Sequence, residues 1–474
     1  MPAISPESAL KSLKRSPLIT PIKFVAIASI VLFCFSSLQH GLFRSSAWDL
    51  GIFDQAVYLI SQGQPPISSF LGFHILGDHA AFMFYLLALL YKIYPDVHWL
   101  LAVQAIALSV GALATWLLAR QAGIRETHAT TLSIVYLLYP IVFNANLADF
   151  HPEVIAIPAL LFAVWAARAN RIGWFCFCLG MTLICRDALA LNVAAMGIWL
   201  IIFEKRRIYG AIALLMGMGW FLFATQVIVP TIGGEAAKID RFLFRYAWLG
   251  TSYTEIVRNF FLKPLLVAGK VFSWNTLGYL LLIGAPLIWA MRPFHFAPLI
   301  GALPTLAMNI LSSNNGQRSL IGQYSVPVLP FFILVAIAVI ATNPSWFKRK
   351  WILTWSAIGF LILAKYGLFL TDLDKLDTWS ATRNAIAQIQ TKGGVLTDHN
   401  IAPHLSQRSV IASIDDIRRT DQQLEAFDYI LINLRHPWQN QRQTAIELLN
   451  QVQSSPRWKL TYDQTEIYRF QKTP

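Results

Sequence analysis

Long apolar runs, separated by short basic or acidic stretches, set the pattern of this chain. Several reach about 18–20 residues, and about 20 helical residues cross the hydrocarbon core of a bilayer. The runs are continuous and do not alternate, which excludes a closed outer-membrane-type β-barrel. Basic clusters decide how the runs are threaded. They fall before Phe24 (Lys11, Lys14, Arg15, Lys23), at Arg120 and Arg125, at Arg168 and Arg171, at Lys205–Arg207, at Arg292 and at Lys348–Lys350. If all are cytoplasmic, an even number of crossings separates each neighbouring pair. That rule predicts helices over 24–42, 97–119, 128–147, 154–167, 172–186, 188–203, 208–229, 274–291, 296–311, 325–342 and 351–370. The chain then crosses about 11 times, with its N-terminus inside and its C-terminus outside. The shorter run Ala80–Tyr94 would move five later basic clusters outside if it crossed. It is therefore expected to lie in the outer interface, where its aromatic residues suit.

The pattern changes after residue 370. "TWSATRNAIAQIQ" and "NQRQTAIELLNQVQ" carry helical periodicity, and "IAPHLS" fits a short helix. "GVLTD", "SVIASI", "YILINL", "WKLTYD" and "EIYRFQK" fit strands. Alternating helices and short apolar strands imply a small α/β domain. The expected organisation is a cytoplasmic tail over 1–23, a transmembrane domain over 24–370 with an external loop over 43–96, and an extracytoplasmic α/β domain over 371–474. The fold class is thus an all-α polytopic membrane protein with a small α/β C-terminal domain.

Composition sharpens this picture. Of 474 residues, 56% are apolar and only 13% charged, about half the charge of a soluble domain. The net charge of +13 would suggest nucleic acid in a soluble protein, but here short basic cytoplasmic loops account for it. Cys34, Cys176, Cys178 and Cys185 all sit in apolar runs and read as small buried hydrophobes. The run from Phe24 resembles a signal-peptide core, yet no small-x-small site follows it, so an uncleaved first helix is expected.

This threading gathers most of the acids and histidines outside. Asp49 and Asp54, in "SAWDLGIFDQAVY", lie at the edge of an apolar run, where a carboxylate is a functional candidate. Five residues apart, they point about 140° apart on one helix, and Asp49 as the cap of a helix starting at Leu50 is the alternative. Asp149, His151 and Glu153 alternate in "ADFHPEV"; if extended, they would point one way, a pattern that suits a divalent metal, sugar contacts or helix capping. Arg186 and Asp187 fit a tight turn, paired with each other or with neighbours, and an outer arginine also suits a phosphate. His79 follows Asp78 in "FHILGDHAAF", and "NNGQRSLIGQY" brings Arg318 and Tyr324 to the same side. Nucleotide-binding, G-x-S-x-G and H-E-x-x-H motifs are absent from the sequence.

These segments resemble a family. "WDLGIFDQAVY", "GDHAAFMFYLLALLYKIYP", "LADFHPEVIAIPALLFAVWAA", "QYSVPVLPFFI", "VLTDHNIAPHLSQRSVI" and "FDYILINL" look like the bacterial predicted membrane proteins of domain-of-unknown-function family 2079, over roughly residues 40–435. That family is similar to the GT-C glycosyltransferases. The resemblance implies an enzyme that takes a sugar from a polyprenyl-phosphate carrier and gives it to an acceptor on the outer face of the cell membrane. It implies Asp49 as general base, with Asp54, His79, Asp149, His151, Glu153, Asp187 and Tyr324 lining the substrate site. Arg186 and Arg318 would hold the carrier phosphate. Two departures stand out: Arg186–Asp187 replaces an acidic Glu-Asp pair, and Gln323 replaces a histidine before Tyr324. Lipid-linked sugar and membrane lipids are the implied partners, with a divalent metal left open and the oligomeric state not fixed. The alternatives are a non-catalytic membrane scaffold or envelope-assembly factor, and a solute transporter. The transporter would need a polar path to the cytoplasm, for which the sequence offers no cytoplasmic acids.

Overall fold

The computed structural model describes residues 18–237, 239–346, 348–367, 375–415, 420–439 and 441–473. The expected N-terminal tail therefore lies, up to residue 17, outside the described residues. Among the described residues three helices are each long and apolar enough to cross a bilayer: Ile19–Gly41, His98–Gln121 and Arg207–Gly233. Two more candidate spans are bent pairs, Glu126–Leu137 with Pro140–Asn146 (44°) and Pro264–Val271 with Trp274–Ala290 (45°). The first bend falls where Pro140 opens a new helix, because proline offers no N–H to continue the preceding ladder. At the second, the Ser273 hydroxyl accepts from Thr276 N and starts a fresh helix. Length and composition thus mark three to five clear spans. The other apolar runs form shorter helices, among them Ile172–Leu183, Leu189–Ile202, Ala297–Leu311 and Val326–Thr342.

The chain forms two compact units. The first takes in the chain up to Phe33, Leu76–Met83 and Ala102–Lys365. Its helices are tied by buried polar side chains, as expected where hydrocarbon offers no competing partner. Asn192 donates to Gly301 O and accepts from the Thr305 hydroxyl, while Asn309 donates to the Tyr279 hydroxyl and to Tyr324 O. The short helix Leu76–His79 docks on Arg207–Gly233 through Leu76, Ala80, Ala224, Ile228 and Val229. This approach needs glycine on both sides: a Cβ on Gly77 would lie 2.4 Å from the Gly233 Cα.

The second unit takes in Cys34–Ile75, Phe84–Leu101 and Tyr366–Pro474. Its centre is a five-stranded sheet in the order 411–413, 395–397, 429–433, 467–472, 458–464. The first three strands are parallel and the last two join antiparallel, with a bulge between Leu460 and Tyr462. Leu396, Ile430, Ile432 and Phe470 pack under the helix Arg442–Ser454 through Ala445, Leu448 and Val452. Helix and strand positions read from the tail sequence match this sheet. The first-loop segments 34–75 and 84–101 belong to the same unit. They contribute a π-turn at Ala47–Gly51, the helix Ile52–Ser61, a two-residue hairpin (Ile67–Ser68 with Phe73–His74) and most of the helix Met83–Tyr91.

Candidate functional site

In the first unit a cavity of about 470 Å³ has largely apolar walls and a charged end. The charged end is built around His79 and the turn Arg186–Asp187. Arg186 makes a short ion pair with Glu153, the first residue of the helix Glu153–Arg168. Its other terminal nitrogen donates to His79 Nε2 at 2.7 Å. With Nε2 accepting, the ring proton sits on Nδ1, which faces Asp187 Oδ1 at 3.4 Å. The Asp187 amide in turn donates to His79 O at 3.0 Å, and Phe242 lies flat against the imidazole at 5.4 Å. Burial works against the charge of Asp187, but His79 and Arg186 outweigh it and hold its carboxyl below the usual range. Arg186 therefore joins a closed network of Glu153, His79 and Asp187.

Arg245 occupies a different position. It lines the same cavity and stacks its guanidinium over Phe242 (4.8 Å) and Tyr324 (5.6 Å). Its Nε is buried without a hydrogen-bond partner. Among the described residues no carboxylate pairs with it. Sequence spacing gave no reason to single out Arg245 from the other charges of its loop. Only the fold turns it toward Tyr324.

The other expected residues are distributed as follows. Tyr324 and Gln323 line the cavity, with Gln317. Arg318 does not line it: its guanidinium donates to the carbonyls of Ile310 and Ser312 and to Asn315 Oδ1, which fixes the loop. Asp149 and His151 are buried outside the cavity lining. Their segment is not extended, because Asp149 has φ +60° and Glu153 already begins a helix. The alternation of Asp149, His151 and Glu153 therefore does not aim three side chains one way. Gln104 holds the segment through Asp149 O (2.8 Å) and His151 N (3.0 Å). Among the described residues no three His, Cys, Asp or Glu side chains gather as a metal site.

Asp49 and Asp54 belong to the second unit. Asp49 is half-buried in the π-turn and is not the helix cap; Ser46 is, its hydroxyl accepting from Trp48 N at 3.1 Å. The tail reaches this turn through consecutive residues. His399 Nε2 lies 3.0 Å from the Ser46 hydroxyl, and Asn400 donates to Ser45 O at 3.1 Å. Trp438 stacks on His399 at 4.3 Å. Burial pushes His399 down to about 4, against the pull of the Asp49 carboxylate. Asp54 is fully buried and spent on structure: it accepts from the Tyr91 hydroxyl (2.6 Å), the Ser406 hydroxyl (2.5 Å) and Gln407 Nε2 (3.2 Å). Burial raises its carboxyl against those three hydrogen bonds.

Several apolar helices of membrane-spanning length around a charged, apolar-walled cavity define the class, an integral membrane protein. The chain belongs to the predicted membrane protein family DUF2079, whose model matches residues 39–469. Its fold is similar to that of ArnT from Cupriavidus metallidurans bound to undecaprenyl phosphate, at 13% identity and a TM-score of 0.54, covering 95% of this chain and 97% of that one. The apo state of the same protein matches at 12% identity and a TM-score of 0.50, covering 94% and 98%. No curated protein matches the chain.

Proposed function

We propose that this protein is a membrane glycosyltransferase that takes a sugar from a polyprenyl-phosphate carrier and passes it to an acceptor outside the cytoplasm. The observation that carries the reading is the cavity of the first unit, whose apolar walls suit an isoprenoid chain and whose charged end suits a phosphate. A GT-C-like fold similar to a protein crystallised with undecaprenyl phosphate supports the same donor class.

In the reaction, an acceptor hydroxyl attacks the anomeric carbon, the new C–O bond forms, and the bond to the carrier phosphate breaks. The acceptor proton goes to a general base, for which the resemblance favours Asp49. The departing phosphate gains negative charge and needs a cation held ready for it. Arg245 fits that role better than Arg186, because Glu153 already neutralises Arg186 and, among the described residues, no acid pairs with Arg245. Eleven crossings with the tail outside remain the threading that the basic clusters favour.

The test is lipid-linked-sugar profiling of a deletion strain. The donor should accumulate, wild-type protein should clear it, and Arg245→Gln or Asp49→Asn should not. A deletion strain with an unchanged lipid-linked-sugar profile would return the protein to the scaffold reading.

A further inference from the structure

The second unit contains its own cavity, of about 220 Å³, formed by the end of the first long helix, the stretch 95–98 and the tail segment 392–408. It shares no lining residue with the larger cavity. Two cations line it. Arg408 is 4% exposed, and its Nε and Nη1 donate to the carbonyls of Leu405 and Gly393, each at 2.6 Å. Among the described residues no carboxylate pairs with it. Burial pushes its pKa down to about 10, against the pull of Tyr429, Tyr58 and Asp428. Lys392 stands at the surface over the Tyr58 ring at 5.1 Å, and burial lowers its pKa too.

His404 is stacked on His40 at 3.9 Å and tilted against Phe43 at 4.5 Å, and burial pushes its pKa down to about 3, so the ring lines the space as a neutral group. The acids of the cavity are already engaged. Asp54 is spent on Tyr91, Ser406 and Gln407, and Asp96 Oδ1 accepts from His98 N (2.8 Å) and contacts His98 Nδ1 at 2.6 Å. Two cations thus face a polar space whose carboxylates are occupied. The missing complement is an anion rich in acceptors. The space is smaller than the ~300 Å³ at which drug-sized pockets begin, and it lacks the apolar wall a lipid chain needs.

We propose that this cavity binds a small phosphate, either inorganic phosphate or a sugar phosphate, held by Arg408 and Lys392. The proposal does not depend on the transferase reading, because it uses none of the residues of the first cavity.

Purified full-length protein in detergent, titrated calorimetrically with inorganic phosphate, glucose 1-phosphate and glucose, tests it. Saturable binding of a phosphate-bearing probe and not of glucose is expected, and the tighter of the two phosphates identifies the source. Lys392→Met and Arg408→Gln should each weaken it about tenfold or more, the loss of a charge-assisted hydrogen bond or contact. Arg186→Gln and Arg245→Gln should leave it in place. Arg408 also holds two carbonyls, so Lys392→Met, at the exposed rim, decides the matter if Arg408→Gln fails to fold. Absence of saturable binding overturns the proposal. So does binding that survives Lys392→Met and disappears with Arg245→Gln, which would put the phosphate in the first cavity.

Discussion

The Ser46 hydroxyl and His399 Nε2 lie 3.0 Å apart, although 353 positions separate them in the chain. Through this bond a tail residue holds the cap of the turn that carries Asp49. His399→Ala removes the bond and the stack on Trp438. We expect faster hydrogen exchange at the amides of residues 48–51 and a loss of about 1–2 kcal/mol in the stability of the second unit. His399→Gln, which can restore the bond, should recover part of the protection. Unchanged exchange in His399→Ala would mean the turn holds itself.

Arg186 and Glu153 neutralise each other at the charged end of the first cavity. Arg186→Gln alone leaves a buried carboxylate unpaired and should destabilise by about 3 kcal/mol. The double change Arg186→Gln with Glu153→Gln should recover most of it, and thermal unfolding of the two variants measures the coupling. Additive losses would contradict the pairing.

The contact between Gly77 and Gly233 admits no side chain. Gly77→Ala should push the helix Leu76–His79 away from its support and carry His79 off Arg186. A fall in melting temperature and a loss of the donor clearance proposed above, in the deletion strain carrying this variant, are expected together. Full complementation at normal stability would show that the backbone can yield there.

Asp398 follows the parallel strand Val395–Thr397 and accepts from Asn433 N at 2.5 Å. Burial raises its pKa to about 7, against that hydrogen bond and with help from Asp415. Between the usual carboxylate value and 7, the folded state binds a proton that the unfolded state has released. Its contribution to stability is therefore greatest at low pH, declines as pH rises to about 7, and stays low above that. Asp398→Asn should gain stability relative to wild type between pH 5 and pH 8, by a few kcal/mol at most. A difference that does not change with pH would show that Asp398 titrates normally.

Local pattern carried the tail into the sequence reading. Strands such as "YILINL" are apolar runs of strand length between turns, and "QTAIELLNQVQ" repeats at helical spacing, so neighbours in the chain suffice. The same held for the long spans Ile19–Gly41 and His98–Gln121. The site was harder to read, because charge type did not reveal partners. Arg186 and Arg318 were both phosphate candidates in sequence, yet one meets Glu153 and the other meets carbonyls. Arg245 gave no signal, since its significance is that no acid among the described residues pairs with it, which only the fold decides. Asp149 misled through spacing: D-x-H-x-E aims its side chains one way only if extended, and a left-handed residue breaks that geometry at its first position. Asp54 looked like a ligand-facing acid because its donors, Ser406 and Gln407, lie about 350 residues away.

The path of the chain through its two units has a consequence for handling the protein. The second unit is made of three separate stretches, and the tail is only the last of them. Expressed alone, the tail would expose Ser406, Gln407 and the rest of the face that normally meets Asp54 and Gln55. It should be insoluble or misfolded as a fragment. Conversely, a protease cut in the connection after Lys365 should not set it loose, because the bonds to the first-loop stretches would keep it attached after the covalent link is gone.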